Sequence, residues 1–577
     1  MRKHLARILD SPLFNRSDRL RRFLQFSVSA ALDGDSERLK EYVVGVEVFD
    51  RGPSFDPRID PVVRVEARRL RARLQRWHDT EGRDSDIIIE LPRGGYAAEF
   101  RLRDKQGHNA REQHAEKTIA VLPFTNLNAD PELDYFMDGL TEELIHALTR
   151  LRGLHVVAWP SVSRLRGEDE DLAGIGEKLN VENILRGSVR RSGERLRMTA
   201  QLINVANRHY LWSEAWDRAA VDWLVIEQEI AQAIAEKLRV DGRLPRDTAP
   251  QRTTVDPETQ TLYLKGRFQW NKRTLEGLRA AEAYFRKAAD RDPDFPLAWA
   301  GLADTYAVMA TFSMAPPAAT MAAAKDAAER ALALDASSSD AVTCLAFVRG
   351  EYDWEWQEAG ELYRRAISLN PGYMTAHQWY GGDYLAVLGR FEEAIRELET
   401  AIRLDPLSSI VLNTRALVSM VAGDYEDAHR RYQDLVEHDP WFFMGWSALG
   451  RLYAQMSEYD LAIEMFQKAR AMAGDFPKIL GALGQTLGLA GRTHEARGVL
   501  RFLDRVSQTQ YVGGTSFALV HLGLGEHDEA LSRLERSVEQ RELAIVWLKV
   551  HPAWDALRSE PRFNSILQRV GLCDSLP

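Results

Sequence analysis

An alanine recurs every 34 or 35 residues through the C-terminal half of the chain, and this spacing limits the possible folds more than any other feature. Each alanine follows a short turn, which is often a glycine followed by a polar residue. The alanines are Ala359, Ala394, Ala428, Ala462, Ala496 and Ala530. A fixed period of this length is typical of stacked structural units, and the turn inside each unit separates two helical patterns. The sequence therefore predicts an α-solenoid of helix pairs.

A second turn separates successive units. Several units end in an acid or amide followed by proline, at Asp292-Pro293, Asn370-Pro371, Asp405-Pro406 and Asp439-Pro440. Proline stops one helix and permits the next to begin. One unit combines bulky and small residues in the order Trp446, Leu449, Gly450, Tyr453, Ala462, Phe466 and Ala469. This pattern resembles the tetratricopeptide repeat, and the resemblance implies about eight repeats over residues 258–545, followed by capping helices over 546–577.

The first helix of each repeat would line a concave surface, and such surfaces bind proteins or peptides. The repeat register places seven candidate residues on it: Trp379, Asp383, Asn413, Arg451, Gln455, Lys478 and Gln485. The alternative for any one of them is an ordinary solvated face. For the surface as a whole we expect a protein or peptide partner, or association of the chain with itself as a homo-oligomer.

The N-terminal segment differs from the rest of the chain in charge. Residues 1–103 contain 21 Lys and Arg against 17 Asp and Glu, whereas the whole chain has a net charge of −10. In this segment a helical stripe of apolar side chains predicts a core-facing helix, and its members are Val63, Ala67, Leu70, Leu74 and Trp77. Six arginines stand on the other faces of that helix. A helix with this distribution suits an anionic partner.

A predicted hairpin follows the arginine-rich helix. Residues 87–91 form its first strand, residues 92–95 the turn and residues 96–100 the second strand. The segment from Val62 to Leu74, together with Gly94-Gly95-Tyr96, resembles the winged helix of OmpR-type domains. In that family the equivalent helix enters the major groove of double-stranded DNA, and the hairpin touches the DNA backbone. The resemblance implies that residues 39–49 supply the preceding helix of a helix-turn-helix.

The candidate DNA contacts are arginines. Arg64, Arg68 and Arg71 are candidates for base edges or phosphates, and Arg69, Arg73 and Arg93 for phosphates. Arginine suits both roles because its planar group can donate two parallel hydrogen bonds to guanine or phosphate. Two alternatives remain open. Nearby acids such as Glu66 could neutralise the arginines, or the helix could dock on the acidic remainder of the chain.

Residues 117–240 alternate between strand and helix patterns, which predicts a small α/β domain. Thr141 is expected to cap a helix that reaches Leu151, and residues 183–191 and 195–204 are expected to form a hairpin. Three phrases resemble the TolB-like domain: Ile119 to Phe124, Asp138 to Leu144, and Gly187-Ser188-Val189. In bacteria such domains lie between an N-terminal effector module and tetratricopeptide repeats. The resemblance implies protein contact or sensing and no particular ligand.

Several enzyme and membrane classes are disfavoured by the sequence. It has no Gly-rich phosphate loop, no paired-histidine zinc motif and no Gly-x-Ser-x-Gly elbow. Its two cysteines, Cys344 and Cys573, are too far apart in the chain for a disulfide framework or a paired-cysteine zinc site. No apolar run approaches the roughly 18 residues of a membrane helix. We therefore expect a cytoplasmic, non-enzymatic protein without a cofactor or metal.

The complete prediction is a mainly α, multi-domain chain. A winged helix over 1–103 and a TolB-like α/β domain over 117–240 precede the repeats, with linkers over 104–116 and 241–257. The predicted function is a bacterial-type transcriptional regulator that binds double-stranded DNA through its N-terminal domain and a protein partner through its repeats. The alternative is a non-enzymatic protein-interaction scaffold that does not bind DNA.

Overall fold

The fold is described from a computed structural model of the chain. It describes residues 2–9, 11, 13–14, 18–33, 39–52, 55, 62–79, 81–82, 85, 87–92, 96–102, 117–128, 131–151, 153–167, 171–192, 195–219, 223–238, 240 and 256–573. The chain divides into two compact units, Met1–Ala115 and Glu116–Pro577. The predicted linker 104–116, and residues 241–255 of the second predicted linker, lie outside the described residues.

In the described part of the first unit, four helices precede a two-stranded hairpin. Their bounds are α1 Arg2–Leu9, α2 Asp18–Asp33, α3 Glu41–Phe49, α4 Val62–Asp79, β1 Ile87–Glu90 and β2 Glu99–Leu102. The apolar stripe predicted for α4 is confirmed, since all five of its side chains are buried. They share one core with buried residues of α2 and α3, such as Phe23 and Val44. This core fixes which faces of α4 are left for its arginines.

The second strand of the hairpin begins later than predicted. Ile87 pairs with Leu102 and Glu90 pairs with Glu99, so β2 starts at Glu99 rather than at Tyr96. The connection is longer than a tight turn because part of it belongs to the core. Leu91 and Ala98 are buried, and the backbone N–H of Ala98 donates to the carbonyl of Ser27 in α2 at 3.4 Å.

The second unit begins with an α/β block built on a mixed sheet. Its described strands are β3 Lys117–Val121, β4 Thr125–Asn126, β5 Leu154–Val156, β6 Asn183–Ser192, β7 Arg195–Asn204 and β8 Tyr210–Ala219. Its described helices are α5 Pro131–Thr149, α6 Trp159–Ser163, α7 Leu172–Leu179 and α8 Trp223–Leu238. The strand order is β5-β3-β6-β7-β8, with β4 beside β6. β3 runs parallel to β5 and β6, while β6, β7 and β8 are antiparallel. The predicted hairpin is confirmed as β6 and β7.

Thr141 does not cap a helix, so that prediction is wrong. α5 already begins at Pro131, which leaves Thr141 fully buried in its interior. Its hydroxyl donates to the carbonyl of Met137 at 2.7 Å and accepts from the backbone N–H of Phe124 at 3.2 Å. The helix continues through Gly139, where a Cβ atom would lie 2.6 Å from Cδ2 of Leu264. Close packing, rather than a helix start, therefore explains the glycine.

Eight helix pairs follow in residues 256–573, all of which are described. Their bounds are α9 Pro257–Asn271, α10 Leu275–Arg291, α11 Pro296–Thr311, α12 Pro317–Leu334, α13 Ser339–Phe347, α14 Trp356–Leu369, α15 Met374–Trp379, α16 Phe391–Leu404, α17 Ser409–Val421, α18 Tyr425–His438, α19 Phe443–Gln455, α20 Tyr459–Ala473, α21 Pro477–Leu489, α22 Thr493–Val506, α23 Gly514–Gly523 and α24 His527–Glu539. Two first helices continue as π-helical turns, Val348–Asp353 after α13 and Tyr380–Leu385 after α15.

The packing explains the 34-residue period. All six recurring alanines are completely buried. In the sixth pair, a Cβ atom added to Gly450 would lie 3.1 Å from the carbonyl oxygen of Ala462 and 3.0 Å from the ring of Phe466. Small residues are therefore needed where the two helices of a pair cross, and the neighbouring aromatic ring fills the remaining space.

The C-terminal segment packs against much earlier repeats as well as the last one. It forms the 3₁₀ helices Leu543–Lys549 and Pro552–Leu557 and then α25, Pro561–Arg569. The indole N–H of Trp356 donates to the carbonyl of Val570 at 2.9 Å, and Arg541 donates to the carbonyl of Tyr352 at 2.7 Å. Buried Trp554, Leu557 and Phe563 belong to the same core as Trp356. The predicted capping segment therefore also contacts the third helix pair.

None of the helices in the described ranges combines the length and the apolar character needed to cross a bilayer.

Candidate functional site

The first candidate site is the arginine-bearing side of α4. Arg69 is the most open of the described arginines there, with 66% of its side chain exposed, and it donates to Oε1 of Glu66 at 2.8 Å. Glu66 is itself buried. Its carboxylate therefore pairs with the inner side of the Arg69 guanidinium, and most of the Arg69 side chain stays exposed. The neutralisation that the sequence left open as an alternative thus holds in part for Arg69.

Arg71 has a structural contact that the sequence did not predict. Its Nε atom donates to the carbonyl of Leu91 and its Nη2 atom to the carbonyl of Pro92, both at 2.9 Å. The half-buried guanidinium therefore attaches α4 to the start of the hairpin connection. At least two of its five N–H donors are used inside the unit, which positions the hairpin relative to the helix.

The remaining candidates on this unit are only partly described. Arg73 is half-buried on α4. The side chains of Arg64 and Arg68, and the whole of Arg93, lie outside the described residues. DNA contact by these arginines stays a prediction.

The second candidate site is the inner side of the repeats. Arg451 on α19 and Lys478 on α21 lie next to each other, since Nη2 of Arg451 donates to the carbonyl of Lys478 at 3.3 Å. The ammonium group of Lys478 donates to the carbonyl of Thr311 at 2.7 Å, so the seventh pair contacts the end of α11. Gln485 donates to the carbonyl of Ala553 at 3.0 Å. The chain's own C-terminal segment therefore covers part of the predicted partner surface.

The other predicted surface residues differ in their surroundings. Trp379 is 9% exposed and packs against Phe347, with ring centroids 4.7 Å apart, so it contributes to the core. Asn413 and Gln455 are half-buried, and Oδ1 of Asn413 is buried without a hydrogen-bond partner. Asp383 lies on the second π-helical turn. Partner binding by these seven residues stays a prediction.

Two carboxyl groups on the π-helical turns share the interior with Lys478. Burial raises the pKa of Asp383 to about 7, and nearby Lys478 acts in the opposite direction. Burial, followed by the charge of Asp383, raises the pKa of Glu351 well above its usual value. Burial also lowers the pKa of Lys478. Sequence reasoning missed Glu351, which lies on the first π-helical turn.

A third site is the contact between the α/β block and the repeats, which the sequence did not predict. Three successive turns between helix pairs each receive a side chain from the block. Asn370 donates to the hydroxyl of Thr149 at 2.9 Å, the hydroxyl of Ser161 donates to Asp405, and Arg164 donates to Asp439 at 2.9 Å. The spacing of Asn370, Asp405 and Asp439 follows the repeat period, and that regularity was the available signal.

The block also contacts the first repeat helix through α5. Glu142 forms an ion pair with Arg267 and accepts from Asn271 at 2.7 Å, and Tyr263 donates to Glu143 at 2.7 Å. Burial raises the pKa of Glu143. These acids belong to the phrase Asp138 to Leu144 that carried the TolB-like resemblance, so that phrase serves the contact with the repeats.

Among the described residues, no group of three or more His, Cys, Asp or Glu side chains is arranged to hold a metal ion. The described contacts at the three sites are hydrogen bonds, ion pairs and apolar packing.

Comparison with known protein families identifies parts of the second unit. Residues 115–233 match the family described as the HilA/YgeH-like transcriptional regulator, second domain. Residues 381–440 and 413–475 match the tetratricopeptide repeat. The C-terminal region therefore contains tetratricopeptide repeats, and a HilA/YgeH-like domain precedes them.

Curated proteins align with parts of this chain. A Rhizobium meliloti protein with the provisional name adenylate cyclase 3 is 35% identical over 192 residues, which are 33% of this chain and 32% of that protein. The transcriptional regulator HilA of Salmonella typhimurium is 22% identical over 330 residues, which are 56% of this chain and 57% of that protein. The chain thus spans a third to somewhat over half of the length of these relatives.

Solved structures also align with parts of this chain. A tetratricopeptide repeat protein from Parabacteroides merdae aligns with 47% of this chain and 100% of its own, at 16% identity and a TM-score of 0.34. PilF of Pseudomonas aeruginosa aligns with 36% of this chain and 93% of its own, at 22% identity and a TM-score of 0.28.

Proposed function

We propose that this chain is a non-enzymatic transcriptional regulator whose N-terminal unit binds double-stranded DNA as a winged helix. The observation that carries the proposal is the division of α4 into a completely buried apolar stripe and outer faces that bear arginines. Arg69 leaves most of its surface open on such a face. Arginines on an exposed helix can grip phosphates and read guanine edges. The similarity to HilA, a transcriptional regulator, supports the same function.

The internal geometry of the first unit favours this function over a pure scaffold. α4 packs on α2 and α3, as the second helix of a helix-turn-helix does, and Arg71 joins α4 to the hairpin connection. A helix and hairpin held together in this way can contact a groove and the adjacent backbone at the same time. A scaffold would need no such arrangement of positive charge beside the hairpin.

The α/β block acts in this proposal as a TolB-like coupler. Its hydrogen bonds to three successive turns of the repeats attach the block to the repeats within one compact unit. A protein partner that binds the repeats, or association of the repeats with a second copy, would therefore act on the whole second unit. Tetratricopeptide repeats suit such contacts because successive helices present a continuous surface.

The test is DNA capture by the intact protein. The purified protein of residues 1–577 is incubated with sheared genomic DNA of its source, and the retained fragments are sequenced. We expect a small set of enriched fragments whose retention weakens steeply as salt rises, because arginine contacts release counterions from the DNA. Equal recovery of all fragments at every salt concentration, or no recovery at low salt, would leave the scaffold as the better function.

A further inference from the structure

The sheet of the α/β block has one short edge that is covered and one long edge that is open. At the short edge, β5 has three residues, and the chain that follows it bonds to the repeats. The backbone N–H of Ala158 donates to the carbonyl of Leu404 at 2.8 Å. Nε2 of His155 lies within hydrogen-bond distance, 2.7 Å, of the carbonyl oxygen of Arg403. At the long edge, β8 has ten residues, and β7 is the one described strand that pairs with it.

The outer side of β8 presents backbone groups to solvent. In an antiparallel strand every second residue directs its N–H and C=O away from the neighbouring strand. Outside the β7–β8 ladder, none of the described backbone hydrogen bonds involves a residue of β8. Water satisfies these groups in a single chain, and a further strand can take the place of that water.

β8 lacks most of the features that keep open edges from pairing. Natural edge strands are often short, or they contain lysine, proline or a bulge that twists the edge away. The sequence of β8 is YLWSEAWDRA, which contains neither lysine nor proline. A register shift is confined to its start, and its pairing with β7 is regular from Trp212 to Ala219. Most of its length is therefore ready to accept another strand.

Apolar side chains add to this open edge. Tyr210 is 56% exposed and Leu211 is 40% exposed. Trp212 is half-buried, and its ring centroid lies 5.7 Å from that of buried Trp216. A strand added along β8 would remove part of this apolar surface from water, while its main-chain hydrogen bonds would supply directional binding.

The charges on the strand indicate which strand fits beside it. Basic Arg208 and His209 precede its start, acidic Glu214 and Asp217 lie in its second half, and all four are exposed. Asp217 pairs with Arg195 of β7 at 2.7 Å, yet 59% of its side chain remains exposed. Opposite charges on facing strands stabilise the pairing, and like charges destabilise it. A second copy of β8 in antiparallel orientation brings the basic start of each strand to the acidic half of the other, whereas a parallel copy brings like charges together.

We propose that the open edge of β8 is a dimerisation surface, and that its occupant is β8 of a second copy of this chain in antiparallel pairing. A two-fold axis near exposed Ser213 brings His209 near Asp217 of the second copy. An axis at Glu214 would instead set two glutamates opposite each other. Because each copy uses the same edge, the contact closes after two chains and joins the two sheets into one. This association does not depend on the proposed DNA contact, and its tests contain no DNA, so either proposal can fail alone.

A disulfide at the two-fold axis tests the pairing directly. Ser213→Cys is made in a Cys573→Ser background, in which the remaining cysteine, Cys344, is buried. The Cα atoms of directly opposite residues in an antiparallel pair lie about 4.5 to 5.5 Å apart, which a disulfide can span. We expect oxidised glutathione to link the purified protein of residues 1–577 into a covalent dimer. The control is Leu127→Cys in the same background, because Leu127 is 49% exposed in the same block but lies outside its strands. It should stay largely unlinked.

Sedimentation velocity without DNA measures the association itself. Across the micromolar range the protein should pass from monomer to dimer as its concentration rises. Leu211→Lys adds a charge near the axis in both copies and should raise the dimer dissociation constant about tenfold or more. Leu127→Lys is the matched control and should leave the constant unchanged. Far-UV circular dichroism and the Tm of each variant show whether it folds.

A charge reversal tests the antiparallel orientation. Asp217→Lys sets like charges together at both ends of the paired strands and should weaken the dimer. Adding His209→Asp to that variant reverses both partners, so the double variant should associate more tightly than Asp217→Lys alone. Recovery of this kind is not expected if Asp217→Lys acts only on the fold of one chain.

Three results would overturn the proposal. The first is a protein that stays monomeric across the micromolar range. The second is a dimer with the same dissociation constant in Leu211→Lys and Leu127→Lys, which would place the association elsewhere, such as on the repeats. The third is equal cross-linking of Ser213→Cys and Leu127→Cys, which would show that the two strands do not pair about Ser213.

Discussion

The hydroxyl of Ser161 in the α/β block donates to Asp405, at the turn between the fourth and fifth helix pairs of the repeats. The same oxygen accepts from the backbone N–H of Leu407 at 2.8 Å. One small side chain thus satisfies two groups of the repeat turn, and Ser161 is completely buried. This contact, with those at Asn370 and Asp439, turns a block and a solenoid into one compact unit.

Replacing Ser161 with alanine should destabilise the second unit. The change leaves the N–H of Leu407 and the carboxyl of Asp405 without their partner, and each unsatisfied buried group costs about 1 to 3 kcal/mol. We expect a lower midpoint in urea unfolding of the full chain. Ser163→Ala is the control, because its hydroxyl donates to the carbonyl of Pro160 at 3.1 Å within the same short helix. Equal midpoints for both variants would contradict the docking role of Ser161.

The stability of this contact should depend on pH. Burial raises the pKa of Asp405 from 3.8 to about 7. The folded state therefore holds this proton more tightly than the unfolded state, so the contribution of Asp405 to stability is greatest at low pH and is lost as pH rises towards 7. Asp405→Asn cannot titrate. We expect its Tm to fall less than the wild-type Tm between pH 5 and pH 8, whereas parallel curves would show that Asp405 does not titrate in this range.

Enlarging a recurring alanine should disrupt the crossing of one helix pair. Ala462→Leu adds three carbons where the carbonyl of Ala462 already lies close to Gly450. Overpacking of this kind costs about 1 to 3 kcal/mol. Ala471→Leu is the control, since it lies on the same helix with its side chain exposed. Differential scanning calorimetry should show a lower Tm for the first variant only.

The sequence predicted the features that repeat or alternate. The period at Ala359 to Ala530, the buried stripe of α4 and the β6–β7 hairpin all follow from local patterns that packing then preserves. Prediction from the sequence failed where a contact between residues far apart in the chain determines the local structure. Thr141 resembled a cap, but its helix begins at Pro131 and its hydroxyl bonds to Met137 and Phe124. The contacts of Arg71 with the carbonyls of Leu91 and Pro92 were also not predicted, and its contact with DNA stays a prediction. Patterns of neighbouring residues do not reveal such contacts, because the two partners lie far apart in the sequence.

Arg71 should hold the hairpin connection in place. In Arg71→Met the carbonyls of Leu91 and Pro92 lose a charged donor, and such hydrogen bonds contribute about 1.5 to 3 kcal/mol. Hydrogen exchange followed by mass spectrometry should show faster exchange across β1 and β2, with α9 to α24 unaffected. Arg19→Met, an exposed arginine of α2, is the matched control. Unchanged exchange in the hairpin would show that Arg71 does not position it.

The salt dependence of DNA binding tests the central claim most directly. Fluorescence anisotropy of the intact chain with an enriched fragment gives the slope of log Kobs against log salt, which is about −0.9 for each phosphate contacted. The double variant Arg64→Ala, Arg68→Ala should weaken binding and flatten the slope by about one to two units. The control Arg190→Ala, Arg197→Ala removes the same charge from the exposed sheet of the α/β block and should leave the slope unchanged. Equal slopes in both double variants would contradict DNA binding by α4.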